Sequence, residues 1–300
     1  MYAYGMKWYS FPRQSLQVTT ALAVASTFIF QAPATAQTLP SIDADGWIGT
    51  FSGYKRRGFE FSMDNMGRCE IYLMNEKGKN RAGHTKTIKI YTEILMENEQ
   101  GKISAKRLKE EGFTTEQKAG FDHKEVKYQA ETTGDAKVEV IIKYDRDRII
   151  LDGRILDCGT LKTGKIYFSF KVHVPAMYSK TYDSADEKKI KSAMRRDRIK
   201  FTRKADKKRV SLKSYEEVEL ADDEMAKGGV TEIVAALGGQ EGNDFIFTTV
   251  DGTGVLDFEN KKAPLWKGYY VKWKRKFAEE AEGDKNKAKK GNSPLVIEFK

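Results

Sequence analysis

The residues with the clearest chemical potential in this chain are cations. Between Lys188 and Arg209 stand 12 basic residues and two acids, Asp197 and Asp206. Their excess equals the formal net charge of the whole 300-residue chain, +10, so all other residues together balance. Clustered cations attract polyanions such as acidic polysaccharide, lipid head groups or nucleic acid. The run holds one aromatic residue, Phe201, and so lacks the rings on which single-stranded bases stack. Lys188, Lys189, Lys191, Arg195, Arg196, Arg198 and Lys200 are the candidate contacts to an anionic ligand. The competing reading is a solvated helix and hairpin, neutralised by the acidic stretch Glu216, Glu217, Glu219, Asp222, Asp223 and Glu224.

A second group is aromatic: Trp266, Tyr269, Tyr270 and Trp273. Flat rings can stack on sugar faces, but large aromatics are also ordinary core residues. Alternation puts Tyr269, Val271 and Trp273 on one face, which a core would take. Trp266 precedes that strand and is the candidate sugar platform.

Carboxylates come third. Glycoside hydrolysis needs two, roughly 5–10 Å apart. Asp145 and Asp147 flank Arg146 in an expected turn, and Asp152 and Asp157 fall in the next strand. Turn and register roles compete with a cleft here. Other chemistries lack their residues. Asp43, Asp45 and Gly46 resemble the start of a calcium loop, but Gly46 at the sixth position puts Ser41 first and Ser52 twelfth, where acids are needed. His84, His123 and His173 are spread and form no His-Glu-x-x-His pair, and no phosphate or dinucleotide loop or nucleophile elbow occurs. Neither a metal nor a cofactor is expected.

Cys69 and Cys158 are the only cysteines. An oxidising compartment would permit a bridge between them, worth about 4 kcal/mol for so long a loop; two separate buried thiols are the alternative. Their separation argues against structural zinc. As a nucleophile paired with a histidine, Cys69 is poor, because it shares alternating positions with Ile71 and Leu73 in an expected strand.

The elements that must position these groups are mostly strands. In residues 165–174, Ile166, Phe168, Phe170, Val172 and Val174 alternate with Lys165, Tyr167, Ser169, Lys171 and His173, the pattern of a half-buried antiparallel strand. Residues 86–96 and 137–144 repeat it. Further strands are expected at 47–52, 58–63, 68–74, 123–131, 148–157, 209–215, 244–250, 254–258, 268–275 and 294–299. Many short strands with turn signals between them predict an all-β, mainly antiparallel fold of β-sandwich or jelly-roll type. An outer-membrane barrel would need an apolar outer face, whereas the polar positions here are rich in Lys and Glu. Two or three short helices are expected. One is near 184–194, where Ser184 and Glu187 form a capping box. A second spans 230–237, where Val230, Ile233, Val234 and Leu237 fit i, i+3, i+4, i+7. A third is at 104–111. A sandwich domain at 44–178 and a second β-rich lobe at 179–300 compete with one large sandwich over 44–300.

Residues 1–36 read as an export signal. Lys7 and Arg13 precede an apolar run from Leu16 to Phe30, and Ala34-Thr35-Ala36 offers a cleavage site before Gln37. Gln17, Thr19 and Thr20 interrupt that run, leaving it short of the roughly 20 apolar residues of a spanning helix. No later segment is long enough to span. The expectation is an exported protein, periplasmic or extracellular, with a non-catalytic binding or structural role in a bacterial envelope. It would dock on anionic polysaccharide or lipid head groups, not on cytoplasmic nucleic acid. The alternative is a carbohydrate-active enzyme, glycoside hydrolase-like, on the same scaffold.

Overall fold

Strands form where apolar and polar residues alternate, because alternation gives each strand one face for the core and one for water. A computed structural model describes residues 37–74, 87–121, 123–161, 165–176, 185–217, 229–237, 244–249, 254–260, 264–277 and 293–300. Among the described residues are sixteen strands and two helices. The first nine strands are β1 (Thr50–Lys55), β2 (Phe59–Asp64), β3 (Cys69–Leu73), β4 (Ile88–Glu97), β5 (Ile103–Arg107), β6 (Glu125–Glu131), β7 (Lys137–Asp145), β8 (Arg148–Asp157) and β9 (Lys165–Val174). Helix α1 (Glu187–Ala193) follows, then β10 (Arg198–Arg203), β11 (Arg209–Lys213), β12 (Val230–Ala236), β13 (Asp244–Thr249) and β14 (Gly254–Glu259). The chain continues through α2 (Pro264–Lys267), β15 (Tyr269–Lys276) and β16 (Leu295–Phe299). The fold is all-β and antiparallel, as the alternation predicts.

All sixteen strands belong to one sheet, in the order β1-β2-β3-β4-β9-β15-β14-β12-β13-β16-β8-β7-β6. Off this path, β5 pairs with β4, and β10 joins β12 to β11. The segment after β5 links the two ends. Thr114 and Gln129 of β6 exchange backbone hydrogen bonds of 3.0 and 2.8 Å, and Gly120 N donates to Phe51 O of β1 at 3.0 Å. One connection thereby covers two strand edges that would otherwise be open, and the sheet nearly closes as a barrel. Residues Ala36–Lys300 form one compact unit. The expected boundary near residue 178 falls at 177–184, outside the described residues. Strands from both sides of it share the sheet, in which the later strands form one block, β15-β14-β12-β13-β16, seated between β9 and β8. Residues 1–36, expected to be an export signal, also lie outside the described residues.

The core holds strands that are distant in sheet order together. Phe59 of β2 stacks on Phe299 of β16 at 3.9 Å, and Tyr54 of β1 on Tyr144 of β7 at 4.7 Å. Phe168 of β9 packs over Gly153 of β8, where a Cβ would collide with its ring and with Glu139 O. Arg275 of β15 reaches Asp152 of β8 at 3.0 Å and donates to Gly153 O. Trp273, Phe168 and Phe170 are fully buried beside it.

Three expectations need correction. Residues 230–237 are strand β12 and not a helix: the β-branched Val230, Thr231, Ile233 and Val234 suit a strand, and β10 and β13 supply ladders on both sides. Residues 104–111 are not helical either, because Ile103–Arg107 takes the free edge at the far end of β4. The expected disulfide is absent: Cys69 and Cys158 are not bonded to each other. Cys69 sits on β3 between Met63 and Ile90, and Cys158 follows β8, which is not a neighbour of β3. No helix among the described residues is long and apolar enough to cross a membrane.

Candidate functional site

The basic run folds into α1, a tight turn and the β10–β11 hairpin. Asp186 caps α1, its Oδ1 accepting from the backbone N–H of Lys188 at 2.9 Å and of Lys189 at 3.3 Å. That satisfies donors a helix start leaves open. Ile190 and Met194 turn inward, and Lys188, Lys189 and Lys191 face water. In β10, Ile199 and Phe201 are buried and Lys200 is exposed. Register sets Arg198 opposite Lys213, and Thr202 opposite Arg209, on β11. Since β11 ends its branch of the sheet, its Arg209 and Lys213 also keep an open edge from pairing with another chain.

Helix α2 brings the aromatic candidate to the same place. Its Leu265 packs with Ile190 of α1 and with Met194 at that helix's C-cap in a small apolar cluster, against which Tyr215 is half-buried. Lys191 Nζ and Lys213 Nζ lie 5.9 and 5.7 Å from the Tyr215 ring centre. Trp266, the next residue, is 48 % exposed. His173 Nε2 donates to Lys267 O at 2.7 Å, fixing α2 to β9. The bare α-carbon of Gly268, at φ +79°, lets the chain pass close to Val174 O. An exposed indole therefore follows directly on a residue anchored to the cationic helix.

The local balance of charge is incomplete. Lys191 pairs with Glu187, Arg203 with Asp206, and Lys213 with Glu216. Arg198 donates to the backbone carbonyls of Arg195 at 2.8 Å and Asp197 at 3.2 Å. Among the described residues, Lys188, Lys189, Arg195, Arg196 and Lys200 form no ion pair, and all five are exposed. Glu219, Asp222, Asp223 and Glu224 of the acidic stretch lie outside the described residues.

The carboxylate candidates do not converge. Asp145 and Asp147 sit at the β7–β8 turn, while Asp157 pairs with Lys137 at the opposite end of β8. Ten residues of strand put those ends about 30 Å apart. Asp152, midway, is engaged by Arg275. Burial pushes the Cys69 thiol far above its usual range, so it is no nucleophile at neutral pH. His84 lies outside the described residues.

The fold also assembles a group that no spacing announces. Ser52 Oγ and His123 Nδ1 are 3.1 Å apart, and His123 Nε2 is 2.9 Å from Lys118 O. A carbonyl only accepts, so Nε2 carries the proton and Ser52 donates to Nδ1. The pair resembles a nucleophile and its base, but Ser52 is fully buried under the Phe51–His123 stack and Tyr144. Its effect is to pin the closing segment to β1. Lys213 and Tyr215 are the members of the basic face that lie beyond the cations selected from sequence. Their signal, a Lys-x-Tyr just past the charge run, is too common to single out.

No protein-family model matches this chain, and no curated protein sequence matches it.

Proposed function

We propose that the mature chain is exported and serves as a non-catalytic binding protein of a bacterial envelope, docking on an acidic polysaccharide through α1, the β10–β11 hairpin and Trp266. The observation that carries this reading is the packing of Leu265 on Ile190 and Met194, which anchors the residue before a half-exposed indole to the cationic helix, where Lys188, Lys189, Arg195 and Arg196 form no ion pair among the described residues. Cations attract the carboxylates of an acidic glycan, and the indole offers a flat face to its rings. A lipid surface would be met by the charges without needing a single ring-sized platform.

Retention of residues 37–300 on immobilised polygalacturonate, on dextran and on phosphatidylglycerol vesicles tests the proposal. The expected result is retention on polygalacturonate alone at moderate salt, weakened by Trp266→Ala. Preference for the vesicles, or equal retention on dextran, would contradict it.

A further inference from the structure

Gln37, the first described residue, is held by its backbone. Its carbonyl accepts from Phe113 N–H at 3.0 Å, in the segment that links the two ends of the sheet. Two residues on, Leu39 is 2 % exposed in the core, and its N–H donates to Asn65 O at 2.9 Å. Ile42 N–H donates to Thr50 O of β1 at 2.8 Å. Residues 37–42 are thereby tied to the closing segment, to the β2–β3 turn and to β1. A terminus is ordered when such contacts tie it down.

The side chain of Gln37 takes no part in that anchoring. It is exposed, and its amide forms no hydrogen bond among the described residues. Cleavage of the expected export signal after Ala36 would give Gln37 a free α-amine and take only the first residue from the compact unit Ala36–Lys300. An N-terminal glutamine carries a nucleophile and an amide carbon at the spacing of a lactam ring.

We propose that Gln37, once freed by cleavage after Ala36, closes into an N-terminal pyroglutamate. The inference rests on the export reading above. The α-amine nitrogen attacks the side-chain carbonyl carbon Cδ, and the N–Cδ bond forms as the Cδ–Nε2 bond breaks. The amine passes one proton to the departing nitrogen, which leaves as ammonia, so no oxidant or other co-reactant is consumed. An α-amino group titrates near about 8, so the uncharged nucleophile is well populated at neutral pH. Ring closure uses only the nitrogen, Cα and side chain of Gln37, and the carbonyl that Phe113 N–H holds is kept. The product has no free amine for an aminopeptidase to grip. That guards Leu39, a core residue only two positions from the cleaved end.

The test is to produce the 300-residue chain with its leader in an exporting bacterium and recover it from the periplasm or medium. Its intact mass is measured before digestion, and its N-terminal peptide is then sequenced by mass spectrometry. The expected chain starts at Gln37, is lighter by one ammonia, and loses its first residue to pyroglutamyl peptidase. The Gln37→Asn variant, whose side chain is one carbon too short for the lactam, should start at the same position with a free amine. An uncut leader would overturn this inference together with the reading of residues 1–36 as a cleaved signal. A chain that starts at Gln37 and still carries a free amine after days at growth temperature would overturn the cyclisation alone.

Discussion

Glu93 of β4 shows how one side chain ties burial to pH. It is buried, and desolvation raises its pKa above the ordinary 4.5, against the opposing pull of Lys171, Lys272 and Arg107. The sign follows from linkage. The folded state holds this proton more tightly than the unfolded chain, so the stability Glu93 contributes is greatest below pH 4.5 and falls as pH rises through its folded value. Glu93→Gln should therefore raise the melting temperature at pH 7 and leave it unchanged at pH 3.5. A lower melting temperature at pH 7 would mean that the neighbouring cations outweigh burial. Residues of this kind differ in how far the sequence discloses them. The cations from Lys188 onward and Trp266 are legible because charge and ring size are properties of the residue alone. Ser52 and His123, 71 positions apart, acquire their relation only through the closing segment.

Helix α2 has four residues, too few to be stable in isolation. It holds its place through Leu265, the His173 contact to Lys267 and the turn at Gly268. Leu265→Ala should thus weaken polygalacturonate binding as Trp266→Ala does, though it leaves the indole and every cation in the sequence. The expected stability cost is about 2 kcal/mol or more, read by chemical denaturation. Unchanged binding would separate α2 from the site. The elements also mark where periodicity fails as a guide. Strand β10 alternates, with Ile199 and Phe201 inward and Lys200 and Thr202 outward, but its charge hides the period from a reading based on hydrophobicity. Strand β12 satisfies a helical spacing by coincidence. Its β-branched residues and the two neighbouring ladders decide the outcome, and those ladders come from segments 30 residues upstream and 15 downstream. Helix α1 is legible because its cap and apolar stripe are local, even though Asp186 caps it in place of the expected Ser184.

The molecule as a whole depends on contacts between strands far apart in the sheet. Gly153 is the tightest of them, since any side chain there meets both the Phe168 ring and a backbone carbonyl. Gly153→Ala should cost about 1–3 kcal/mol, the usual scale of overpacking, and denaturant unfolding measures it. Wild-type stability would show that β8 and β9 can part without penalty. Alternation announced the antiparallel class, because strand period is a local property. The single nearly closed sheet was not legible, because closure depends on Thr114 and Gly120 finding strands at opposite ends of the order. The proposed docking face depends on this scaffold: burial of Ile199 and Phe201 in the common core holds the basic hairpin in register beside α1. Its electrostatic character is tested most directly by measuring polygalacturonate affinity across a series of salt concentrations. Wild type and a variant with Lys188, Lys189, Arg195 and Arg196 replaced by alanine would be compared. Screening should weaken wild-type binding steadily as salt rises. The variant should bind at least about tenfold more weakly at low salt and respond less to added salt. Affinity that is indifferent to salt, or equal in the two proteins, would contradict docking through the basic face.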